Sequence, residues 1–398
     1  MILYPEKKDC CNCNACTQAC PKDAIYKMTD DSGFVYPKID NEKCIDCGLC
    51  QKVCSYQHID ETNYPLQVYA AVSKDRAQLK KSASGGIFAA AATRFLRNGA
   101  VVYGASISRE GDRFVVRHKG IESVDRLPEL QGSKYLLSEI EGCFIEIREH
   151  LKNGRKVLFS GTPCQCAGLK GFLRKDYDNL FLIDLICHGV PDQHFFNDYI
   201  NFQFSGYAGI SGFAFRDKTQ GWELTGRLDY DNGNKHRSIP AGTSSYYALF
   251  LDAQIYRENC YSCKYACKNR PGDITIGDYW GIQKQHPDLI SSGKFHVKDG
   301  VSCIIANNPK GLSLIDEIKD ALTLAPSTYE KVAARNAQLV HPMRVGRFRN
   351  EIFKIYRTAG YEGVDSFYRE TYRTQRIIHS ILAKLPYGLK DILRRLRH

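Results

Sequence analysis

Cys10-Cys11-Asn12-Cys13-Asn14-Ala15-Cys16-Thr17-Gln18-Ala19-Cys20-Pro21 decides how the chain begins, and Cys44-Ile45-Asp46-Cys47-Gly48-Leu49-Cys50-Gln51-Lys52-Val53-Cys54 repeats it. Cys10, Cys13, Cys16, Cys20 and then Cys44, Cys47, Cys50, Cys54 both follow C-x2-C-x2-C-x3-C, the bacterial run that holds 4Fe-4S cubanes. Thiolates two residues apart reach three corners of one cubane, and the fourth cysteine ligates the other cluster. The spacing therefore predicts one cluster on Cys10, Cys13, Cys16 and Cys54 and a second on Cys44, Cys47, Cys50 and Cys20. Zinc sites use C-x2-C pairs at longer separation, and disulfides need an oxidising compartment. Cys11 falls outside the spacing and reads as a spare thiol. The second run ends in Cys54-Ser55 rather than Cys-Pro, which leaves its ligands intact.

Outside this module the composition is that of a globular protein. The 398 residues carry 43% hydrophobic and 25% charged side chains, enough for two or three domains. The expected division is a two-cluster domain over 1–62, a larger second domain over 63–325 and a basic helical region over 326–398. The first residues lack the basic and apolar regions of a signal peptide, and no apolar run reaches the about eighteen residues of a spanning helix. Seventeen cysteines without such a signal point to metal work in a reducing cytoplasm. The net charge of +11 suits an acidic electron donor, an anionic cofactor or an anionic membrane. Nucleic acid is not expected, because the basic residues are scattered and no recognition module is present.

Further along, Leu66–Val72 reads as a strand. Ser82-Ala83-Ser84-Gly85-Gly86 opens an alanine-rich helix over Ile87–Arg97, followed by a strand over Ala100–Ile107. Such a helix start offers free N–H groups to an anion, or is simply capped by serine. Arg155–Ser160, a helix over Gln165–Lys175 and Leu180–Ile186 form the strand–helix–strand pattern of a parallel sheet. Gly161-Thr162-Pro163-Cys164 and Cys187-His188-Gly189 then fall at carboxyl ends of strands, where ligands gather. Strands are expected over Phe213–Arg216, Trp222–Tyr230 and Asp273–Asp278, and a helix over Tyr246–Tyr256. Trp222 and Trp280 either wall a ring-shaped ligand or pack in the core.

Cys260, Cys263 and Cys267 place three soft ligands on one short segment and need a fourth, Cys164 or Cys187. Thiolate-only coordination selects iron–sulfur or zinc, and a third 4Fe-4S cluster fits a chain that already carries two. No GxGxxG fingerprint follows a strand, so a Rossmann dinucleotide site is not expected.

Five ordered blocks resemble one family: Ser82-Ala83-Ser84-Gly85-Gly86-Ile87-Phe88, Gln131-Gly132-Ser133-Lys134-Tyr135, Ser160-Gly161-Thr162-Pro163-Cys164-Gln165, Asp184–Pro191 and Arg270–Gly281. Together they resemble the coenzyme F420 hydrogenase/dehydrogenase beta-subunit family with a fused N-terminal ferredoxin. The resemblance implies an α+β protein: a bacterial-type two-cluster ferredoxin domain, a mixed α/β flavin-binding domain and a helical C-terminal tail. It implies FAD held by Ser84, Gly85, Gly86, Gln131, Ser133, Lys134, Tyr135, Gly161, Thr162 and Pro163, close to a 4Fe-4S cluster. Lys134 would stabilise a reduced flavin or is a surface lysine. His188 would protonate a substrate or closes a turn in the core.

The implied activity is an iron–sulfur flavoprotein oxidoreductase. Ferredoxin or another donor supplies electrons, and an organic small molecule, such as a deazaflavin or a biosynthetic intermediate, exchanges them with FAD. The alternative is a non-catalytic electron-transfer subunit that relays electrons to a partner oxidoreductase. In the tail, Ile378, Ile381, Leu382 and Leu385, then Leu389, Ile392, Leu393 and Leu396, repeat at helical spacing, and Lys390, Arg394, Arg395 and Arg397 make the second segment basic. Such helices dock on the protein's own body or a partner, or lie on the inner surface of a membrane.

Overall fold

The computed structural model describes residues 2–58, 63–219 and 221–384. In the N-terminal domain β1 (Ile25–Thr29) and β2 (Val35–Ile39) pair antiparallel, Ile25 opposite Ile39. Short helices, Ala15–Ala19 and Leu49–Lys52, lie inside the two cysteine runs. Each is entered through a left-handed residue, Asn14 at φ 61° and Gly48 at φ 69°. Asn and Gly tolerate that conformation, and the tight turn it makes lets cysteines two apart face one cavity.

An eight-stranded mixed sheet forms the body. Its strands are β3 (Gln67–Ser73), β4 (Val101–Glu110), β5 (Arg113–Ile121), β6 (Val157–Gly161) and β7 (Leu180–Leu185). Three others, β8 (Gly212–Ala214), β9 (Thr225–Tyr230) and β10 (Lys235–Pro240), make a separate antiparallel sheet. The large sheet is completed by β11 (Ile274–Asp278), β12 (Ser302–Ala306) and β13 (Leu322–Ser327) in the order β13-β3-β12-β11-β7-β6-β4-β5. Strands β4, β6, β7 and β11 run parallel. Their middle members, Val157-Leu158-Phe159 and Leu180-Phe181-Leu182-Ile183, are buried along their length, as strands covered on both faces must be. The carboxyl ends of β6, β7 and β11 therefore deliver Gly161, Ile186 and Asp278 to one edge.

The helix Ile87–Arg97 buries Ala89–Ala92 and Phe95 in a core with β3, β4 and β12. On the other side, Phe144, Phe159, Leu169 and Phe172 share one apolar core with Cys11, Cys13, Ala15, Val53 and Tyr56. The ferredoxin-type domain is thus packed into the second layer of the sheet.

Several boundaries differ from expectation. Trp222 lies before β9, outside any strand. The helix expected to reach Tyr256 spans Ser245–Leu251 and stops before Ala253, which is left-handed at φ 53°. The sheet continues past residue 325, because β13 runs to Ser327. A short helix, Tyr329–Ala333, and two longer ones follow, Arg349–Thr371 with a break at Gly360 (φ 60°), and Arg373–Lys384. Ile377, Ile378 and Ile381 are exposed on the latter. Leu385 and the expected second segment over 389–396 lie outside the described residues. Among the described residues no helix is long and apolar enough to cross a membrane.

Candidate redox centre

Two cavities in the N-terminal domain are lined by thiols. Cys20, Cys44, Cys47 and Cys50 line one, with Ile25, Ile39 and Leu49. Cys10, Cys13, Cys16 and Cys54 line the other, with Cys11 and Cys50 also on its wall. The chain crosses over between its two runs, so Cys20 joins the second set and Cys54 the first. Burial pushes the Cys54 thiol up to about 11 and raises Cys10 and Cys16 as well. Such thiols ionise when a metal coordinates them. None of the 17 cysteines forms a disulfide. Among the described residues no three His, Cys, Asp or Glu side chains close around a single metal ion.

A third group of thiols meets at the sheet edge. Cys164 sits in the first turn of the helix Pro163–Leu173, whose start is a capping box between Thr162 and Gln165. The Thr162 hydroxyl contacts its sulfur at 3.2 Å. Hydrogen bonds from Cys11 and Thr162 outweigh burial and lower the pKa of Cys164, a shift that favours the thiolate a metal or an electrophile needs. Cys187, just beyond β7, interacts electrostatically with Cys164 and Cys263. Cys260 does so with Cys187, Cys263 and Cys164. Cys164 and Cys187, taken as alternatives in the sequence, are therefore both in the group. Cys267 turns elsewhere: its thiol donates to the carbonyls of Lys264 (3.4 Å) and Asn269 (3.3 Å). Beside the group Arg270 pairs with Asp184 at 3.0 Å, both sealed from solvent. Asp184 also accepts from the Gly272 amide, and Arg270 donates to Tyr265 O and Leu185 O.

The residues implied for a flavin lie along the same edge. The Ser84 hydroxyl donates to Val301 O (3.1 Å) and the Gly85 amide to Ser302 Oγ (2.9 Å). A Cβ on Gly85 would overlap Ala71 O, so only glycine brings the chain this close. Gly86, left-handed at φ 80°, starts the helix Ile87–Arg97 with no side-chain cap. Ser133 lies half-buried on the irregular segment between Gln131 and Tyr135. The Gln131 amide nitrogen reaches Gln78 at 2.8 Å, and its Oε1 is buried without a partner. Lys134 is not a free surface lysine. Its amine donates to Leu130 O (3.0 Å) and Gln131 O (2.8 Å), and desolvation, helped by Lys119, holds it down to about 7. The Tyr135 ring stacks on Phe250, and its hydroxyl accepts from Arg216 at 3.3 Å. Arg216 also pairs with Asp278 at 3.1 Å, leaving Nε and Nη2 buried and unpartnered. Trp222 and Trp280 stack on each other at 4.6 Å and 10°, and Trp222 Nε1 donates to Asp278 at 2.8 Å. His188 Nδ1 accepts from the Gln338 amide at 3.1 Å. Burial lowers its pKa, so the ring stays neutral with Nε2 carrying the proton.

Residues 154–331 match the family model for the C-terminal part of the coenzyme F420 hydrogenase/dehydrogenase beta subunit. Residues 9–58 match the 4Fe-4S dicluster domain. The chain thus joins a 4Fe-4S ferredoxin-type domain to a region similar to the C-terminal part of the F420 hydrogenase/dehydrogenase beta subunit. The beta-subunit match begins just before β6 and ends just after β13, so it takes in the GTPC turn, Cys187-His188 and the Cys260–Cys267 loop. Among solved structures, the chain is similar to a chain of the F420-reducing NiFe hydrogenase complex from Methanosarcina barkeri, in a xenon-derivatization study. The two are 17% identical with a TM-score of 0.44, over 77% of this chain and 90% of that one. Curated proteins give no match.

The motifs do not point to two further participants. His118, buried on β5, donates from Nε2 to Ser160 O (3.0 Å) and accepts at Nδ1 from Ser138 (2.9 Å). Ser138 in turn accepts from Gln165, whose Oε1 takes the Thr162 amide at 3.0 Å. This chain of bonds fixes the GTPC turn. It leaves no local signal, because a single histidine in an alternating strand looks like any core histidine. Cys11, read as a spare thiol, is buried and hydrogen-bonded to the thiols of both Cys13 and Cys164. It bridges the first cysteine run and the third group, a contact made only by the docking of the two domains.

Proposed function

We propose that the chain is an iron–sulfur flavoprotein oxidoreductase that passes electrons between ferredoxin-type clusters and FAD, to reduce or oxidise an organic acceptor. The observation that carries this reading is the succession of three four-thiol groups, two in the N-terminal domain and one at the sheet edge. Cys20, Cys44, Cys47 and Cys50 would hold one cluster, and Cys10, Cys13, Cys16 and Cys54 a second. Cys164, Cys187, Cys260 and Cys263 would hold a third, with Cys267 outside it. The donor sets fit: four thiols gather in each, the coordination that suits iron–sulfur.

The edge fits a flavin by its unsatisfied groups. Gln131 Oε1 and Arg216 Nε and Nη2 are buried polar atoms without partners, which a bound molecule would satisfy. The uncapped helix start at Gly86 suits a pyrophosphate. Clusters supply one-electron steps and FAD, when bound, hydride chemistry. His188 would donate its Nε2 proton to the acceptor, with Gln338 holding the ring. Lys134, with its pKa near neutrality, would place a proton or a positive charge beside the ring.

Anaerobic purification with iron, sulfide and flavin analysis tests the reading. About twelve irons and one FAD per chain are expected from three cubanes. About eight irons without flavin would sink the catalytic reading. Turnover of an organic acceptor with reduced ferredoxin and no other protein separates an enzyme from a relay subunit that requires a partner oxidoreductase.

A further inference from the structure

Arg216, Arg270 and Arg257 are all buried, at 7%, 2% and 0% exposure, but different groups answer their charge. Arg216 pairs with Asp278 at 3.1 Å and Arg270 with Asp184 at 3.0 Å. Arg257 meets no carboxylate among the described residues. Its backbone belongs to the beta-subunit domain, where its amide donates to Val190 O just before Cys260. Its side chain crosses into the ferredoxin-type domain. There Nε donates to Cys10 O (3.1 Å), Nη1 to Val35 O (2.8 Å) and Nη2 to Cys10 Sγ (3.9 Å). The Tyr36 ring covers the guanidinium, 3.7 Å from Cζ to the centroid.

A guanidinium keeps its proton in a protein, so a full charge is buried here. Carbonyl dipoles and a ring face soften that cost without supplying the opposite charge that burial demands. The group in contact able to supply it is the sulfur of Cys10. The outer cavity differs: Cys47 is exposed, and the Cys44 thiol faces the Asp46 carboxylate at 3.8 Å.

We infer that Arg257 is the fixed counter-charge of the site formed by Cys10, Cys13, Cys16 and Cys54, a positioning residue that makes this inner site a better electron acceptor than the outer one on Cys20, Cys44, Cys47 and Cys50. The inference rests on the ligand sets proposed above. One electron added at the inner site makes it more negative by one charge. A cation touching a ligand sulfur in a low-dielectric interior favours that state, because charge and hydrogen bonding at the sulfurs set a cluster's potential. An electron that enters at the exposed outer site then moves inward, towards Cys164 and the sheet edge. No bond is made or broken in the transfer. The outer site is oxidised and the inner site reduced.

The test uses the full chain, purified anaerobically with its clusters, as wild type, R257Q and R257K. Potentiometric titration followed by electron paramagnetic resonance reads each cluster separately. In R257Q the inner site's reduction equilibrium should fall at least tenfold, about 59 mV for one electron, while the outer site keeps its midpoint. R257K keeps the charge but loses the fork onto the two carbonyls, and should titrate close to wild type. A purely structural clamp would make the two variants behave alike. R257Q with a wild-type inner midpoint overturns the inference. If R257Q loses the inner cluster, R257K decides: a loaded inner site at the wild-type midpoint supports it, and loss of that iron in both variants overturns it. A wild-type protein lacking the inner signal would instead fault the ligand assignment.

Discussion

A Cβ placed on Gly168 would stand 2.6 Å from the Cβ of Cys13 and 2.8 Å from its sulfur. Gly168 faces the ferredoxin-type domain from the helix that begins beside Cys164, and Gly171 presses against the Val53 carbonyl and Ser55 in the same way. The two glycines let that helix approach both cysteine runs closely, the first at Cys13 and the second beside Cys54. Gly168→Ala should therefore force the domains apart, with an overpacking cost of about 1–3 kcal/mol. Urea unfolding would read the loss. The magnetic interaction between the proposed inner and third clusters should weaken in the same variant, since Cys13 and Cys164 flank the glycine. A variant with wild-type stability and wild-type spectra would contradict the close approach.

The thiol group at the sheet edge predicts which cysteines carry iron. Cys187→Ser and Cys263→Ser should each lower the iron content by about four atoms, one cubane's worth. Cys267→Ser should leave it unchanged, because that thiol is engaged with its own loop. Iron loss in the Cys267 variant together with full iron in the Cys187 variant would restore the ligand set that chain order alone suggests.

The limits of sequence reading are visible in these same residues. The crossed sets of the N-terminal domain were legible because cysteine spacing within a short run is a local constraint. So were the alanine-rich helix and the apolar strands β6 and β7, whose burial follows from composition. What could not be read depends on contacts between distant segments. Cys11 and Cys164 are more than 150 positions apart, and nothing local marks them as neighbours. Arg257 looks like one of many basic residues until its side chain is seen inside another domain. Cys267 has suitable spacing after Cys263, but the turn it occupies points its thiol at carbonyl oxygens. The expected boundary at 325 cut through strand β13, because Leu322–Ser327 is short and contains Pro326, which only an edge strand accommodates.

Asp184 should be a stability determinant as well as a neighbour of the third thiol group. It is fully buried on β7 and meets Arg270 and the Gly272 amide. Asp184→Asn keeps the shape but leaves the Arg270 charge uncompensated, which costs about 3–5 kcal/mol for a pair sealed from water. Replacing both residues by apolar side chains removes the stranded charge, and the double variant should recover part of that loss. Chemical unfolding of the apoprotein and holoprotein measures both. A double variant less stable than Asp184→Asn would show that the pair's remaining hydrogen bonds, to Tyr265 O, Leu185 O and Gly272 N, dominate over the stranded charge.

His118 predicts a pH dependence of known sign. Burial lowers its pKa from 6.5 to about 4, helped by the charge of Lys134 and opposed by the bond from Nε2 to Ser160 O. Above pH 6.5 the ring is neutral folded and unfolded, so it adds no pH dependence. As the pH falls from 6.5 to 4 the unfolded chain takes up a proton that the folded chain refuses, and stability is lost across that window. Below pH 4 both states are protonated and the loss levels off. A shift of this size corresponds to roughly 3 kcal/mol. His118→Gln cannot titrate, so the difference in unfolding free energy between wild type and variant should change by that order between pH 6.5 and 4. The carboxylates that titrate in the same range contribute equally to both proteins and cancel. Parallel curves for the two proteins would mean that the ring is protonated in the folded state, and that the Ser138–Gln165–Thr162 chain holding the Cys164 turn is built on a charged histidine.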